Sequence, residues 1–307
     1  MQRKGDEIKT LIFFLIPTVM VISGLVFFPF PLDTKVKNLL YVPLFLSLFI
    51  LISGYFGRRN CLPFLRVIGW LVFAFYWSTQ INTLFYYEGG DVVNAAICTI
   101  GIYVLTYFAY KDLTTDKECV PWLAACAGTA GLIYFTLDNI PPLRKLLINT
   151  VTRHTALLYS VFDAKIKFED NLIWAGYDYI NGVSPTAEII FACTAIQSML
   201  LFVGLILPLK RVDIKRRLLM LLFLIPVIYF LNLIRNASIV YLVGYRITDM
   251  NVAHNYIGKT GSLIALVILV MLVFKYMPEL YNNIICTLNL YKEEGFVERC
   301  LKRVFKR

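Results

Sequence analysis

Charge is scarce in this chain. Asp, Glu, Lys and Arg make up 16% of its 307 residues, against about 25% in an ordinary soluble domain, so a solvated globular fold is excluded. Histidine is scarcer still, with two copies, and the seven cysteines contain no CxxC pair; together they make neither a zinc site nor a disulfide framework. No metal and no cofactor are expected. No internal repeat or low-complexity tract is found, and no apolar run is followed by a small-residue cleavage site, so the first hydrophobic segment is expected to be retained as a helix.

What is present is hydrocarbon. The hydrophobic fraction is 59%, and runs of about 20 apolar residues, enough to cross roughly 30 Å of lipid, recur along the chain. Eight are read, at about 8–30, 38–56, 63–86, 91–110, 119–137, 187–207, 218–244 and 261–277. The expected fold is an all-α integral membrane protein of about eight transmembrane helices. Its expected parts are a five-span scaffold (1–137), a connecting segment (138–186), a three-span core (187–277) and a tail (278–307).

The net charge of +10 would suit a nucleic-acid binder, but its placement argues for topology. With the N-terminus inside, inner segments hold 20 Lys and Arg against 9 outside, and KRVDIKRR (Lys210–Arg217) is the clearest anchor. That is the positive-inside pattern. The tail and both termini are expected in the cytoplasm, in a multi-pass protein of the cell membrane, and no nucleic acid is expected as partner.

The long connection begins PPLRKLLINTVTRHTALLYSVF, where Leu143, Leu146, Leu147, Val151, Leu157 and Leu158 recur near helical spacing between Arg144, Lys145 and Arg153. This predicts an amphipathic helix on the extracytoplasmic membrane surface. KIKFEDNLIWAGYDYINGVSP comes next, with alternation and Gly and Asn punctuation, expected as short strands or an ordered loop. In the scaffold, WSTQINT (Trp77–Thr83) is expected at a helix end facing headgroups.

Three polar residues stand out in the last spans. Arg235 lies about 26 Å along the seventh at 1.5 Å per residue, and an intramembrane Arg should face protein or water. Asn232 and Ser238, three residues before and after it, share its side of the helix. Cys193 lies about 9 Å inside the outer end of the sixth span by the same rise, with Glu188 five residues before and Gln197 one turn after. Ser184-Pro185-Thr186 reads as the helix start, which would set the thiol in the first turns; Glu188 could serve the cap or pair with Arg235. His254 precedes the eighth span. Thiol, guanidinium and imidazole thus meet at one membrane level. A thiolate nucleophile, a cation that favours it and a proton carrier are the parts of cysteine acyl transfer.

Two other motifs fail. IGKTGS (Ile257–Ser262) has Ala253 where a phosphate-binding loop needs its leading Gly. NAS at Asn236 is a formal glycosylation sequon inside an apolar helix, hence silent. His154 is expected as a surface residue.

ACTAIQSM (Ala192–Met199), NLIRN (Asn232–Asn236) and HNYIG (His254–Gly258) resemble the Cys, Asn-x-x-Arg and His-x-x-x-Gly blocks of the exosortase/archaeosortase family of membrane-embedded transpeptidases. They cover roughly residues 184–270. Where many bacterial members carry Arg four residues after Cys, this chain has Gln197, and ACTAIQSM resembles the archaeal branch. The resemblance implies Cys193 as nucleophile, Arg235 as essential arginine and His254 as third member. It also implies surface-protein substrates whose C-terminal tail joins a short signature, a transmembrane helix and a basic cluster, with a membrane lipid as acceptor. The rival readings are a transporter or lipid-binding protein in which Arg235 holds an anionic headgroup, and a non-catalytic subunit. The chain lacks the repeated halves of a transporter.

Overall fold

The computed structural model describes residues 2–56, 62–86, 92–182, 184–293 and 295–299. The basic end of the tail, 300–307, lies outside the described residues. Seven helices among those described are long and apolar enough to cross a membrane: Ile8–Phe27, Thr34–Phe56, Pro63–Tyr86, Val92–Thr114, Cys119–Asn139, Ile214–Gly244 and Val252–Tyr276. The chain divides into two compact units, residues 1–132 with 282–307, and residues 133–281.

The first unit contains α1 (Gln2–Phe27), α2 (Thr34–Phe56), α3 (Leu62–Ser78), α4 (Ile81–Tyr86), α5 (Val92–Thr114), most of α6 (Cys119–Asn139) and the end of α12 (Pro278–Leu288). Leu44, Leu48 and Leu51 on α2 are fully buried, and Leu51 packs with Val67, Trp70, Ala109 and Ala124. Buried charges here come with partners. Asp112 accepts from Arg66 Nε (2.7 Å) and Trp70 Nε1 (2.8 Å), while Arg66 Nη1 donates to Gly54 O (2.8 Å). Lys111 meets Glu298 Oε1 at 2.5 Å, and the Tyr107 and Tyr110 hydroxyls donate to the same carboxylate.

One expectation is met in part and one is corrected in this unit. The polar run at Trp77–Thr83 does stand at a helix end, where α3 breaks into α4, but its Ser78 and Thr79 are buried. The Ser78 and Thr79 hydroxyls turn back onto Phe75 O and Tyr76 O, each at 2.7 Å, which satisfies them without solvent. The cysteines, scattered in sequence, do contain a disulfide, Cys119–Cys286, across 167 residues. It joins the start of α6 to α12, a proximity that spacing cannot reveal.

The second unit runs from the end of α6 through α7 (Pro141–Ser160), β1 (Ile166–Glu169), β2 (Leu172–Ala175), α8 (Tyr177–Asn181), β3 (Ala187–Glu188), a 3-10 turn (Phe191–Thr194), α9 (Ile196–Ile206), α10 (Ile214–Gly244), a π-helical turn (Val252–Gly258) and α11 (Lys259–Tyr276) to the start of α12. Pro141 and Pro142 open α7, where a missing N–H costs nothing. Its buried stripe is Val151, Thr155 and Tyr159, not the leucines; Leu146 and Leu157 are exposed. Small and β-branched residues let α7 approach α10 closely, and the leucines are left for an apolar surrounding.

The segment after α7 forms a three-stranded antiparallel sheet, β1-β2-β3, with Ile173 opposite Ala187 and Leu172 opposite Glu188. That pairing overturns the sixth span as one continuous helix. Ala187 and Glu188 cannot begin a helix while bonded to β2, and Ile189 N–H donates to Asn171 O (2.8 Å). What remains helical is α9, 11 residues or about 16 Å, which by itself covers only part of roughly 30 Å of hydrocarbon. The last span starts at Val252 rather than 261.

The sheet is seated on α10 by two glycines. Gly176, at φ 58°, lies so close to α10 that a Cβ there would fall 2.5 Å from Gly244 O, so only glycine fits. Beside them Asp163 accepts from the Tyr245 hydroxyl, the Tyr159 hydroxyl (3.2 Å) and Lys165 N–H (3.0 Å). The Tyr245 hydroxyl foremost holds the Asp163 carboxyl below the usual carboxylate range, and that same bond pushes Tyr245 up to about 12.

Candidate active site

Cys193 is a free, buried thiol in the 3-10 turn before α9. Its N–H donates to Ile190 O (2.8 Å). Ala195 then takes φ 63° and caps α9, an uncommon conformation for a residue with a Cβ. The thiol therefore precedes α9 instead of sitting in its first turn, and Ser184-Pro185-Thr186 is not the helix start; the Thr186 hydroxyl accepts from Ala175 N–H (2.9 Å). The Cys193 carbonyl accepts from Asn232 Nδ2 (2.8 Å) and Asn236 Nδ2 (3.0 Å) on α10. These two are four residues apart, hence neighbours on one helix face.

Arg235 projects from the adjoining face of α10. Nε donates to Gly258 O (3.2 Å) and Nη1 to Asn236 Oδ1 (3.4 Å). Gly258 ends the π-helical turn, and a Cβ there would fall 3.1 Å from Arg235 Nε, so a glycine admits the guanidinium to the backbone. His254 is half-buried in the same turn, whose Lys259 N–H reaches back to His254 O. Such single π turns occur often at functional sites. Arg235 lies within electrostatic reach of both the Cys193 thiol and the His254 imidazole. Among the described residues no carboxylate forms an ion pair with it.

A cavity of about 300 Å³ opens beside Arg235, lined also by Ala195, Ser198, Asn232, Ser238 and Gly261 among others; Cys193 and His254 are not in its lining. Asn232 and Ser238 thus share a wall with Arg235, as their spacing predicts. The Ser238 hydroxyl donates to Ile234 O (2.8 Å) and the Ser262 hydroxyl to Gly258 O (2.8 Å), so the wall is largely apolar. Glu188 and Gln197 are directed elsewhere. Glu188 is exposed and accepts from Asn171 Nδ2 (2.9 Å), neither capping α9 nor reaching Arg235; Gln197 donates to the Tyr134 hydroxyl (3.1 Å). His154 is exposed and shares a hydrogen bond with the Tyr229 hydroxyl (2.7 Å). Asn236 is the residue that sequence reasoning misses, reading it as a silent sequon; its i+4 relation to Asn232 is the available signal.

Among the described residues no three His, Cys, Asp or Glu side chains converge as a metal site. The seven apolar helices among the described residues define a multi-pass membrane protein. Residues 38–274 match the sequence profile of the transmembrane exosortases, well over half of the chain, and the protein belongs to that family. Membership makes it, in general terms, a membrane-embedded sorting transpeptidase that processes secreted proteins. No curated protein and no solved structure matches the chain.

Proposed function

We propose that this exosortase is a cysteine transpeptidase of the archaeosortase-like branch, with Cys193 as nucleophile, Arg235 as oxyanion donor and His254 as proton carrier. The observation that carries the reading is an arginine, with no carboxylate partner among the described residues, that shares Asn236 with the Cys193 backbone and bonds Gly258 O at the end of the turn that holds His254. Attack of the Cys193 thiolate on the scissile carbonyl forms a C–S bond and an oxyanion, which Arg235 stabilises. The intermediate collapses to a thioester as the C–N bond breaks, and the leaving amine takes the proton held by His254. An acceptor hydroxyl or amine, activated by the now neutral imidazole, then attacks the thioester, returning the thiol and releasing the protein joined to the acceptor.

The substrate in this reading is a secreted surface protein with a C-terminal signature, transmembrane helix and basic cluster, and the acceptor is a membrane lipid. The basic loop 208–217 lies in the cytoplasm and residues 138–186 outside, with the active site at the extracytoplasmic face. Between them the chain crosses through α9 and the mostly buried stretch before it, which is not α-helical, backbone that membrane depth tolerates where protein encloses it. The 20-to-9 distribution of Lys and Arg supports this orientation. An impermeant label that reaches 208–217 from outside intact cells would overturn that orientation. The chemistry is tested by Cys193→Ala and Cys193→Ser, which should abolish processing of a tail-bearing protein while the folded enzyme persists. Normal maturation by the Ala variant would end the nucleophile reading and favour a lipid-binding role for Arg235.

A further inference from the structure

Both backbone groups of Cys193 are held in place. Its N–H donates to Ile190 O, and its carbonyl takes two amide donors, Asn232 Nδ2 and Asn236 Nδ2. That carbonyl falls between the 3-10 turn and α9, because Ala195 at φ 63° swings the chain out of the helical path. Left alone it would be a buried acceptor without a donor, at a cost of about 1–3 kcal/mol.

Asn236 does more than satisfy it. Its Nδ2 reaches the backbone of Cys193 at 3.0 Å while its Oδ1 accepts from Arg235 Nη1 at 3.4 Å. Only the nitrogen of an amide donates and only the oxygen accepts, so the two contacts together fix which way the planar group faces. The residue is 3% exposed, which shields both bonds from competing water. We propose that Asn236, assisted by Asn232, is a positioning residue that locks the Cys193 thiol and the Arg235 guanidinium into one mutual geometry. The proposal rests on the reading of Cys193 as nucleophile. Neither asparagine is assigned a contact with the reacting atoms. With the carbonyl held, the peptide plane after Cys193 is fixed and the thiol keeps only its χ1 rotation. Arg235 is held from the other side by Gly258 O, so nucleophile and oxyanion donor are set at a distance before substrate arrives.

The test is Asn236→Asp, which keeps the shape, loses the donor to the Cys193 carbonyl and adds a carboxylate that pairs with Arg235. Purified enzyme in nanodiscs is given a reporter fused to the motif-helix-basic tail of a secreted protein from the same genome, and Cys193 is separately alkylated with iodoacetamide across pH. A misplacement of about 1 Å can remove 10²-fold in rate, so kcat should fall by that order with KM within about threefold. The pH at which alkylation is half-maximal should move upward, because a negative charge now adjoins the thiolate and neutralises its cation. The added charge produces that movement by itself, so the coupling is read in the fall of kcat at little-changed KM, which a merely structural asparagine would not show. Asn236→Ala keeps the test open if the Asp variant does not fold: it should lower kcat without the upward movement. Asn232→Ala, which leaves one donor on the carbonyl, should lower kcat less. Asn236 variants that cleave within about threefold of wild type, a barrier change of only about 0.65 kcal/mol, overturn the coupling, as does a loss confined to thermostability. Cleavage by Cys193→Ala sinks the nucleophile reading instead; an inactive Cys193→Ala beside fully active asparagine variants sinks the coupling alone.

Discussion

Arg66 and Arg235 both sit in helices of membrane-spanning length, one in each compact unit, and the chain treats them in opposite ways. Arg66 is closed off: Asp112 takes its Nε, Gly54 O takes its Nη1, and Trp70 completes the carboxylate. Lys111, in the same unit, is likewise matched by Glu298. Arg235 is given a backbone carbonyl and an amide oxygen, both neutral. An ion pair removed from water roughly balances its own desolvation and leaves no field for another anion. Among the described residues Arg235 has only dipoles as partners and so keeps its charge; in the proposed reading, a low-dielectric site makes that charge effective on the oxyanion of the reaction. The difference separates charges that hold the protein together from one that is left available.

The strongest way to break this comparison is Asp112→Ala. It leaves Arg66 buried without a counter-charge and should cost about 3–5 kcal/mol of stability, read as a large fall in thermostability in detergent. Cleavage per folded molecule should stay at the wild-type value. If it falls instead, the first unit is not merely structural. Arg235→Lys is the complementary case. Charge is kept, but a point charge replaces a planar fork of directed donors, and the rate should drop on the order of 10²- to 10³-fold with thermostability little changed. A Lys variant within about threefold of wild type, or 0.65 kcal/mol, would make Arg235 a headgroup anchor, since both side chains snorkel.

The smallest effect belongs to Asp163→Asn. The carboxyl is held low chiefly by the Tyr245 hydroxyl, so its contribution to stability is present above the unfolded carboxylate pKa of about 3.9. It is lost as pH falls through the lower folded value. The wild-type protein should therefore lose an increment of thermostability only below about pH 4, and the Asn variant should lack that increment. An unchanged acid profile would remove Asp163 from the joint between α7 and the end of α10.

The sequence is most legible where side-chain chemistry repeats along one element. The long spans, the helix beginning at Pro141 and the shared wall of Asn232, Arg235 and Ser238 all obey helical spacing. The Cys193 neighbourhood is not legible in that way, because its backbone is decided by partners elsewhere. FACTAIQSMLLF is apolar enough for a span, but pairing of Ala187 and Glu188 with β2 holds the approach extended, and a positive φ at Ala195 breaks the path into α9. Hydropathy carries no information on either. Glu188 and Gln197 fall close to Cys193 only on the assumption of one continuous helix. The Cys119–Cys286 disulfide is invisible for the same reason. Asn236 is legible in position but not in role, since its partner is a carbonyl and carbonyls leave no trace in a sequence.

The π-helical turn at Val252–Gly258 sets a phase. Its backbone bonds run over five residues where an α-helix uses four, so the turn holds one residue more than the same stretch of regular helix would. An α-helix advances about 100° per residue, from 3.6 residues per turn. Removing that one residue would restore regular winding and rotate His254 by about that angle relative to α11, away from Gly258 and the guanidinium it admits. The hydrophobic span from Lys259 to Tyr276 would keep its length and its lipid-facing side. Lipid can sense only how apolar that helix is; the extra residue determines which way its polar end looks.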